Sequence, residues 1–147
     1  MRDKKFWASV INVVTLCAVI FFVSTYFVYD TNIIGFIIIA LAGVSLASLR
    51  LFKITIATVK PDIIFGIIDN GILAIMTVAG GEIAGVAGAV IGGVVGNAIT
   101  DGIAGLFEGY WAEKSTHDKR TVLGSAVGKM AGCLLGAGVV LIVVSLL

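Results

Sequence analysis

The chain has 147 residues, of which 59% are hydrophobic and 13% are charged, and its formal net charge is +1. A soluble domain carries about 25% charged residues, so this composition excludes an ordinary soluble domain and, even more strongly, a disordered chain. It gives no reason to expect a nucleic-acid partner. We therefore expect an integral membrane protein surrounded by lipid, in the cytoplasmic membrane of a prokaryote or in an organelle membrane.

Five apolar runs follow one another along the chain and are separated by clusters of charge. A bilayer core of about 30 Å needs about 20 apolar residues per helix, so each run is long enough to cross it. The sequence predicts helices at 6–28, 32–52, 61–80, 83–113 and 121–146. Pro61 suits the first turn of the third helix, and Gly80-Gly81 suits its end. The expected fold is an all-α membrane helix bundle of about five transmembrane helices, with residues 1–147 forming a single domain.

The distribution of charge predicts an orientation. Lys and Arg lie in residues 1–5, 50–60 and 114–120, whereas residues 30–32 and 80–82 carry only acids. Because basic loops remain in the cytoplasm, the N-terminus is expected there and the C-terminus outside. The run at 83–113 is longer than a bilayer core requires, so its end is expected to project into the cytoplasm.

Glycines are concentrated in the last two predicted helices, where they repeat at steps of three and four residues. They are Gly85, Gly88, Gly92 and Gly96 in the fourth helix, and Gly124, Gly128 and Gly132 in the fifth. Small residues let helix backbones approach closely in lipid. The glycine stripes predict that these helices pack on each other or on a second copy, so a homodimer or a larger membrane complex is expected.

Polar residues within the predicted spans form a second pattern. They are Asp69 and Met76 in the third helix, Asn97, Asp101 and Glu108 on one face of the fourth, and Lys129 in the fifth. A charge at the bilayer centre costs at least ~2.5–3.5 kcal/mol, so such residues usually face a cavity or a partner and mark an ion path. One lysine cannot neutralise three acids, which favours a cation or protons. The alternative is a salt bridge from Lys129 to Asp69 or Asp101 that only stabilises the bundle.

Two segments carry a family resemblance: IIFGIIDNGILAIMTVAGGEIAG and, after it, VVGNAITDGIAGLFEGYWAEKS. Over residues 63–119 they resemble the first two transmembrane helices of the vacuolar iron transporter family. Asp69-Asn70-Gly71 and Glu108-Gly109-Tyr110 are similar to the Asp-Gly and Glu-Tyr elements of that family. The resemblance implies a dimer that exchanges divalent iron or manganese for protons, with acids and a methionine lining the path.

The expected function is therefore membrane transport of a divalent cation, iron or manganese, coupled to protons as the resemblance implies. The expected metal ligands are Asp69 and Asp101, with Glu108 at the cytoplasmic mouth, Asn97 and Met76 as auxiliary ligands, and Lys129 as the counter-charge. The transported Fe²⁺ or Mn²⁺ would be cargo, and no permanently bound cofactor is expected.

Other functions are less well supported by the sequence. It contains no nucleotide loop, nucleophile–base arrangement or dense His/Cys cluster, so an enzyme is not expected. Cys17 and Cys133 are interpreted as small buried hydrophobic residues. The segment AGVAGAVIGGVVGNAI favours an alternative, a small glycine-zipper scaffold or assembly subunit of a membrane complex without transport chemistry.

Overall fold

The structure is a computed structural model that describes residues 2–114 and 121–147, with side chains at 4–104, 106 and 121–147. The described residues form four α-helices and no strand. The helices are α1 (Arg2–Phe27), α2 (Ile34–Leu51), α3 (Ile56–Lys114) and α4 (Val122–Ser145). All four are long and apolar enough to cross a membrane. The prediction of an all-α fold is confirmed, and the chain is compatible with an integral membrane protein.

The described residues form four helices where the sequence predicted five, because the third and fourth predicted helices both lie in α3, on either side of a non-helical break. Ala84 (φ −140°, ψ 26°) and Gly85 (φ 58°, ψ −139°) leave helical geometry inside this helix. The positive φ of Gly85 is a conformation that favours glycine. We call residues 56–83 the first arm of α3 and residues 86–114 its second arm. The break lies beyond Gly80-Gly81, where the sequence predicted the end of a helix.

The two arms of α3 pack on each other in antiparallel directions, with backbones in direct contact. A Cβ atom added to Gly88 would collide with the carbonyl of Gly80, and one added to Gly92 would collide with the carbonyl of Met76. These contacts show that the arms are antiparallel. Gly88 meets Gly80, and the later Gly92 meets the earlier Met76. Only residues without a side chain allow this approach.

Helix α4 packs on both α2 and the first arm of α3. A Cβ atom at Gly132 would collide with the carbonyl of Ile63 and lie 2.9 Å from Cα of Gly66 on the first arm. One at Gly138 would lie 3.1 Å from the carbonyl of Gly35 on α2. The sequence suggested that the two glycine stripes pack on each other or on a second copy. Within this chain they do not pack on each other. Each packs on the first arm of α3.

Gly85 is the exception among the glycines predicted to pack. A Cβ atom at Gly85 would have no heavy atom within 4 Å. Within this chain Gly85 packs on no neighbouring helix, because the chain bends there instead of continuing as a helix. Its role is conformational.

Two helices begin at positions that matter for the buried side chains. Helix α3 begins at Ile56, so Pro61 lies inside the helix rather than at its first residue. Asp62 therefore lies within the helix and not at its terminus, and its side chain is buried. Helix α4 begins at Val122, and the side chain of Thr121 caps it by accepting a hydrogen bond from the Gly124 nitrogen at 3.0 Å.

A small apolar core joins the four helices. Its buried members are Leu16, Leu49, Val59, Leu123 and Val127. Large apolar side chains cover much of the outside of the bundle. Ile83 and Val86, on either side of the bend in α3, are 85% and 84% exposed. An apolar exterior of this kind suits a bundle surrounded by lipid.

Candidate polar site between the first arm of α3 and α4

Two acids are buried in the described part of the chain, and both lie on the first arm of α3. Asp62 is 1% exposed and Asp69 is 9% exposed. A spacing of seven residues places them on the same side of the helix, about two turns apart. Acids enclosed by apolar helices are expensive and therefore mark candidate functional sites.

Asp69 is connected to α4 through Asn70 and Cys133. The Asn70 Nδ2 atom donates a hydrogen bond to Asp69 Oδ2 at 3.1 Å and another to Cys133 Sγ at 2.7 Å. The other carboxylate oxygen, Asp69 Oδ1, is buried and has no hydrogen-bond partner among the described residues. Because a buried oxygen without a donor is unfavourable, Asp69 is a candidate for binding a proton or a cation.

The second arm of α3 lies on another side of Asp69. A Cβ atom at Gly96 would lie 3.2 Å from Cα of Leu73, so one further turn along each arm brings Thr100 opposite Asp69. Thr100 is 4% exposed, and its hydroxyl donates to the Gly96 carbonyl of its own helix at 3.1 Å. Helical spacing thus puts Asp69 on the face of the first arm that is directed towards the second arm, while the adjacent Asn70 contacts α4.

Asp62 is held against α4 at a second level. The Ser125 hydroxyl donates a hydrogen bond to Asp62 Oδ1 at 2.8 Å. Lys129 lies one turn further along α4, and its ammonium nitrogen is 5.0 Å from the centroid of the Phe65 ring, a cation–π distance. The interface between the first arm and α4 therefore carries polar and charged side chains along several turns.

The predicted ligands on the second arm of α3 have a different environment. Asn97 Nδ2 donates a hydrogen bond to Asp101 Oδ2 at 2.8 Å, and both side chains are exposed. Asp69, in contrast, is enclosed. Within a single chain the structure thus pairs Asn97 with Asp101 but places Asp69 in a separate environment.

Of the remaining predicted ligands, Met76 is the one whose side chain the structure describes. Met76 lies between the two arms of α3, where its Cβ atom would be 3.2 Å from a Cβ added to Gly96. The side chain of Glu108 lies outside the described residues. Among the side chains that the structure describes, no three His, Cys, Asp or Glu residues come together to hold a metal ion.

Sequence reasoning missed the polar contacts made by α4. Cys133 was interpreted as a buried hydrophobic residue, yet it is partly exposed and accepts a hydrogen bond from Asn70. The available signal was its position, directly after Gly132 in the glycine stripe, which marks the contact face of α4. The same interpretation is wrong for Cys17, because this residue is exposed on α1.

Comparisons with family models, with curated proteins and with solved structures gave no match to this chain. The resemblance of residues 63–119 to vacuolar iron transporters therefore stays a prediction from short motifs.

Proposed function

We propose that this chain is an integral membrane protein that transports a divalent cation, Fe²⁺ or Mn²⁺, in exchange for protons. The observation that carries the proposal is the enclosed Asp69 carboxylate, which is 9% exposed and has one oxygen without a hydrogen-bond donor among the described residues. Carboxylate oxygens are suitable ligands for such ions. The motif resemblance supports the same cargo and the exchange for protons.

In this proposal the chain crosses the membrane five times. Helices α1, α2 and α4 each cross once, and α3 crosses twice because its arms are antiparallel. Each arm is ~40 Å long at 1.5 Å per residue, which exceeds the ~30 Å hydrocarbon core. The basic segments place the N-terminus in the cytoplasm and the C-terminus outside. The end of the second arm then projects into the cytoplasm.

The exposed Asn97–Asp101 pair supports assembly into a homodimer or a larger membrane complex. An acid facing lipid costs at least ~2.5 kcal/mol, whereas a second copy or a water-filled path between copies would relieve this cost. Asp101 and Asn97, with Glu108, would then line a path shared by two copies. The glycine stripes pack within the chain, so they give no separate support for a second copy.

Metal flux into proteoliposomes tests the proposal. The purified chain should move Mn²⁺ or Fe²⁺ when a pH gradient is imposed. Asp69→Asn should reduce the flux at least ~10-fold, the scale expected when a metal site is damaged. Asp101→Asn should also reduce it, whereas Glu82→Gln, at an exposed acid near the bend of α3, should not. A folded wild-type chain that moves no divalent cation would contradict the proposal.

Backbone packing favours a second candidate, a glycine-zipper scaffold or assembly subunit. Glycines bring backbones together on two sides of the first arm of α3, and no three His, Cys, Asp or Glu side chains come together among the described residues. In a scaffold, Asp62 and Asp69 would only join helices. A chain that moves no cation but assembles with other membrane proteins would support this candidate over transport.

A further inference from the structure

We infer that Asn70 and Cys133 complete the cation site of Asp69, which is then a mixed oxygen and sulfur site for a borderline or soft divalent cation. Because it rests on the proposed function of Asp69, this inference deepens the transport proposal. It adds two ligands that the sequence patterns did not assign, one of them on α4. The carboxylate, the amide and the sulfur are linked by hydrogen bonds of 3.1 Å and 2.7 Å.

The amide of Asn70 shows that the surroundings of Asp69 and Cys133 favour positive charge. Its Nδ2 atom lies between Asp69 Oδ2 and Cys133 Sγ and donates to both. An NH₂ group held between two acceptors stands where a positive charge is favourable, because both neighbours direct lone pairs towards it. A half-turn of the amide about its terminal torsion would exchange its nitrogen and oxygen, so that the oxygen would lie beside Asp69 Oδ2 and Cys133 Sγ and a cation would bind next to all three. Asp69, Asn70 and Cys133 would then present a carboxylate, an amide oxygen and a sulfur.

The second carboxylate oxygen of Asp69 is an independent reason to expect a ligand. Asp69 Oδ1 is buried and has no hydrogen-bond partner among the described residues, although the side chain is enclosed by packed helices. Unsatisfied buried oxygens are rare because they lose hydration without a replacement. A cation held by Asp69 and Cys133 would restore the lost interaction.

The charges of the site suit a divalent ion. Asp69 contributes one negative charge, and Cys133 contributes a second when its thiol forms a bond to the metal. In that step the S–H bond breaks, the sulfur electron pair is donated to the metal and one proton leaves to water. The loaded site of one divalent cation, one carboxylate and one thiolate is neutral. A neutral site is far cheaper to enclose than an isolated charge.

The sulfur ligand also predicts selectivity. Thiolates prefer softer metals, whereas Mg²⁺ and Mn²⁺ prefer sites built from oxygen. The site should therefore bind Co²⁺, Fe²⁺ or Zn²⁺ more tightly than Mn²⁺, and Mg²⁺ most weakly. Replacing the Cys133 thiol with a hydroxyl should reduce the difference in affinity between these metals.

Cobalt absorption tests the site directly. The full chain in detergent, kept reduced, is titrated with Co²⁺, because a thiolate bound to Co²⁺ gives a charge-transfer band in the near ultraviolet. Wild type and Cys17→Ser should both show the band and release about one proton per ion bound. Cys133→Ser should lose the band and bind at least ~10-fold more weakly. Asn70→Ala keeps the thiol, so it should retain the band but bind Co²⁺ with reduced affinity. This second variant tests the site even if Cys133→Ser fails to fold.

The outcomes separate this inference from the proposed function. A band that persists in Cys133→Ser or disappears in Cys17→Ser overturns the inference. So does a wild-type chain that moves Mn²⁺ in proteoliposomes but gives no thiolate band. A band that depends on Cys133, in a chain that moves no cation, supports the site and overturns transport.

Discussion

The first arm of α3 packs on two neighbours in different ways. Towards the second arm the closest contacts are between backbones, as where Gly80 meets Gly88, with side chains such as Met76 packed beside them. Towards α4, glycines again permit close approach, but hydrogen bonds between side chains accompany it, as from Ser125 to Asp62 at 2.8 Å. One side of the arm is therefore apolar packing, and the other combines packing with polar chemistry.

This difference indicates how a small apolar chain can enclose an acid. Backbone contacts between glycines are short and leave no space for rearrangement, so they hold the two arms of α3 at a fixed distance. Asp69 lies at the border between the two sides, close to the polar groups of α4. The apolar side fixes the position of Asp69, and the polar side supplies its partners.

The largest effect is expected on the apolar side. In Gly92→Leu the new side chain would collide with the carbonyl of Met76, so the free energy of unfolding should fall by about 3 kcal/mol or more. Thermal unfolding in detergent, followed by circular dichroism, measures the loss. Gly102→Leu is the control on the same arm, because a Cβ atom there meets nothing within 4 Å. Equal melting temperatures for the two variants would show that the arms do not pack as described.

The second largest loss of stability is expected from a substitution at the bend between the two arms. Gly85 has a φ of 58° and a ψ of −139°, so Gly85→Ala should destabilise the chain by about 1–3 kcal/mol. Gly81→Ala is a matched control, since its Cβ atom would lie 3.6 Å from Cβ of Ala89 and alanine favours a helix. Chemical unfolding of both variants gives the comparison. If Gly85→Ala were as stable as Gly81→Ala, the bend would not need a glycine.

A smaller effect is expected on the polar side. Ser125→Ala removes the hydroxyl that donates to Asp62, which should lower the free energy of unfolding by about 1–2 kcal/mol. Ser9→Ala removes an exposed hydroxyl that donates only to the Lys5 carbonyl, so its effect should stay within ~0.5 kcal/mol. A loss of the same size in both variants would mean that the buried contact adds nothing specific.

The smallest effect on a single chain is expected on the exposed side of the second arm. Asn97 and Asp101 form a hydrogen bond of 2.8 Å within one helix, so Asn97→Ala should cost about 0.2–0.5 kcal/mol. The measurement requires the monomeric fraction, isolated by size exclusion before unfolding. A loss in the monomer as large as that of Ser125→Ala would contradict the exposed placement of this pair.

Hydropathy predicted three of the four helices well, because the length of an apolar run fixes the helix that it forms. The run at 121–146, for example, corresponds to α4 at Val122–Ser145. The end of the third run was placed wrongly, because Gly80-Gly81 has the composition of a helix end. In the structure Gly80 is needed inside the helix, where it meets Gly88, and the bend falls at Ala84 and Gly85. Packing between the arms decides which glycine adopts the positive φ. A local sequence pattern does not predict this packing.

The candidate site was only partly predictable for a similar reason. Asp69 was recognisable because an acid in an apolar run is conspicuous, and the structure encloses it. Its neighbour Asn70 bonds to Cys133, 63 positions further along the chain, through the packing of α4 on the first arm. Asp101 was also recognisable as an acid in an apolar run, but the structure leaves it exposed. Its position in the sequence did not predict this difference from Asp69. Periodicity gives the face of a helix but not the neighbour that covers it.

Thermal stabilisation by metal tests the central claim, that Asp69 forms a divalent cation site, most directly. An ion that binds only the folded chain raises its stability by about 2.7 kcal/mol at 100 times the dissociation constant. Fe²⁺, kept reduced, or Co²⁺ should therefore raise the melting temperature of the wild-type chain in detergent. Asp69→Asn should melt at the same temperature with and without the ion, and Glu82→Gln should respond as wild type does. A wild-type melting temperature that no divalent ion changes, or an equal rise in Asp69→Asn, would contradict the account.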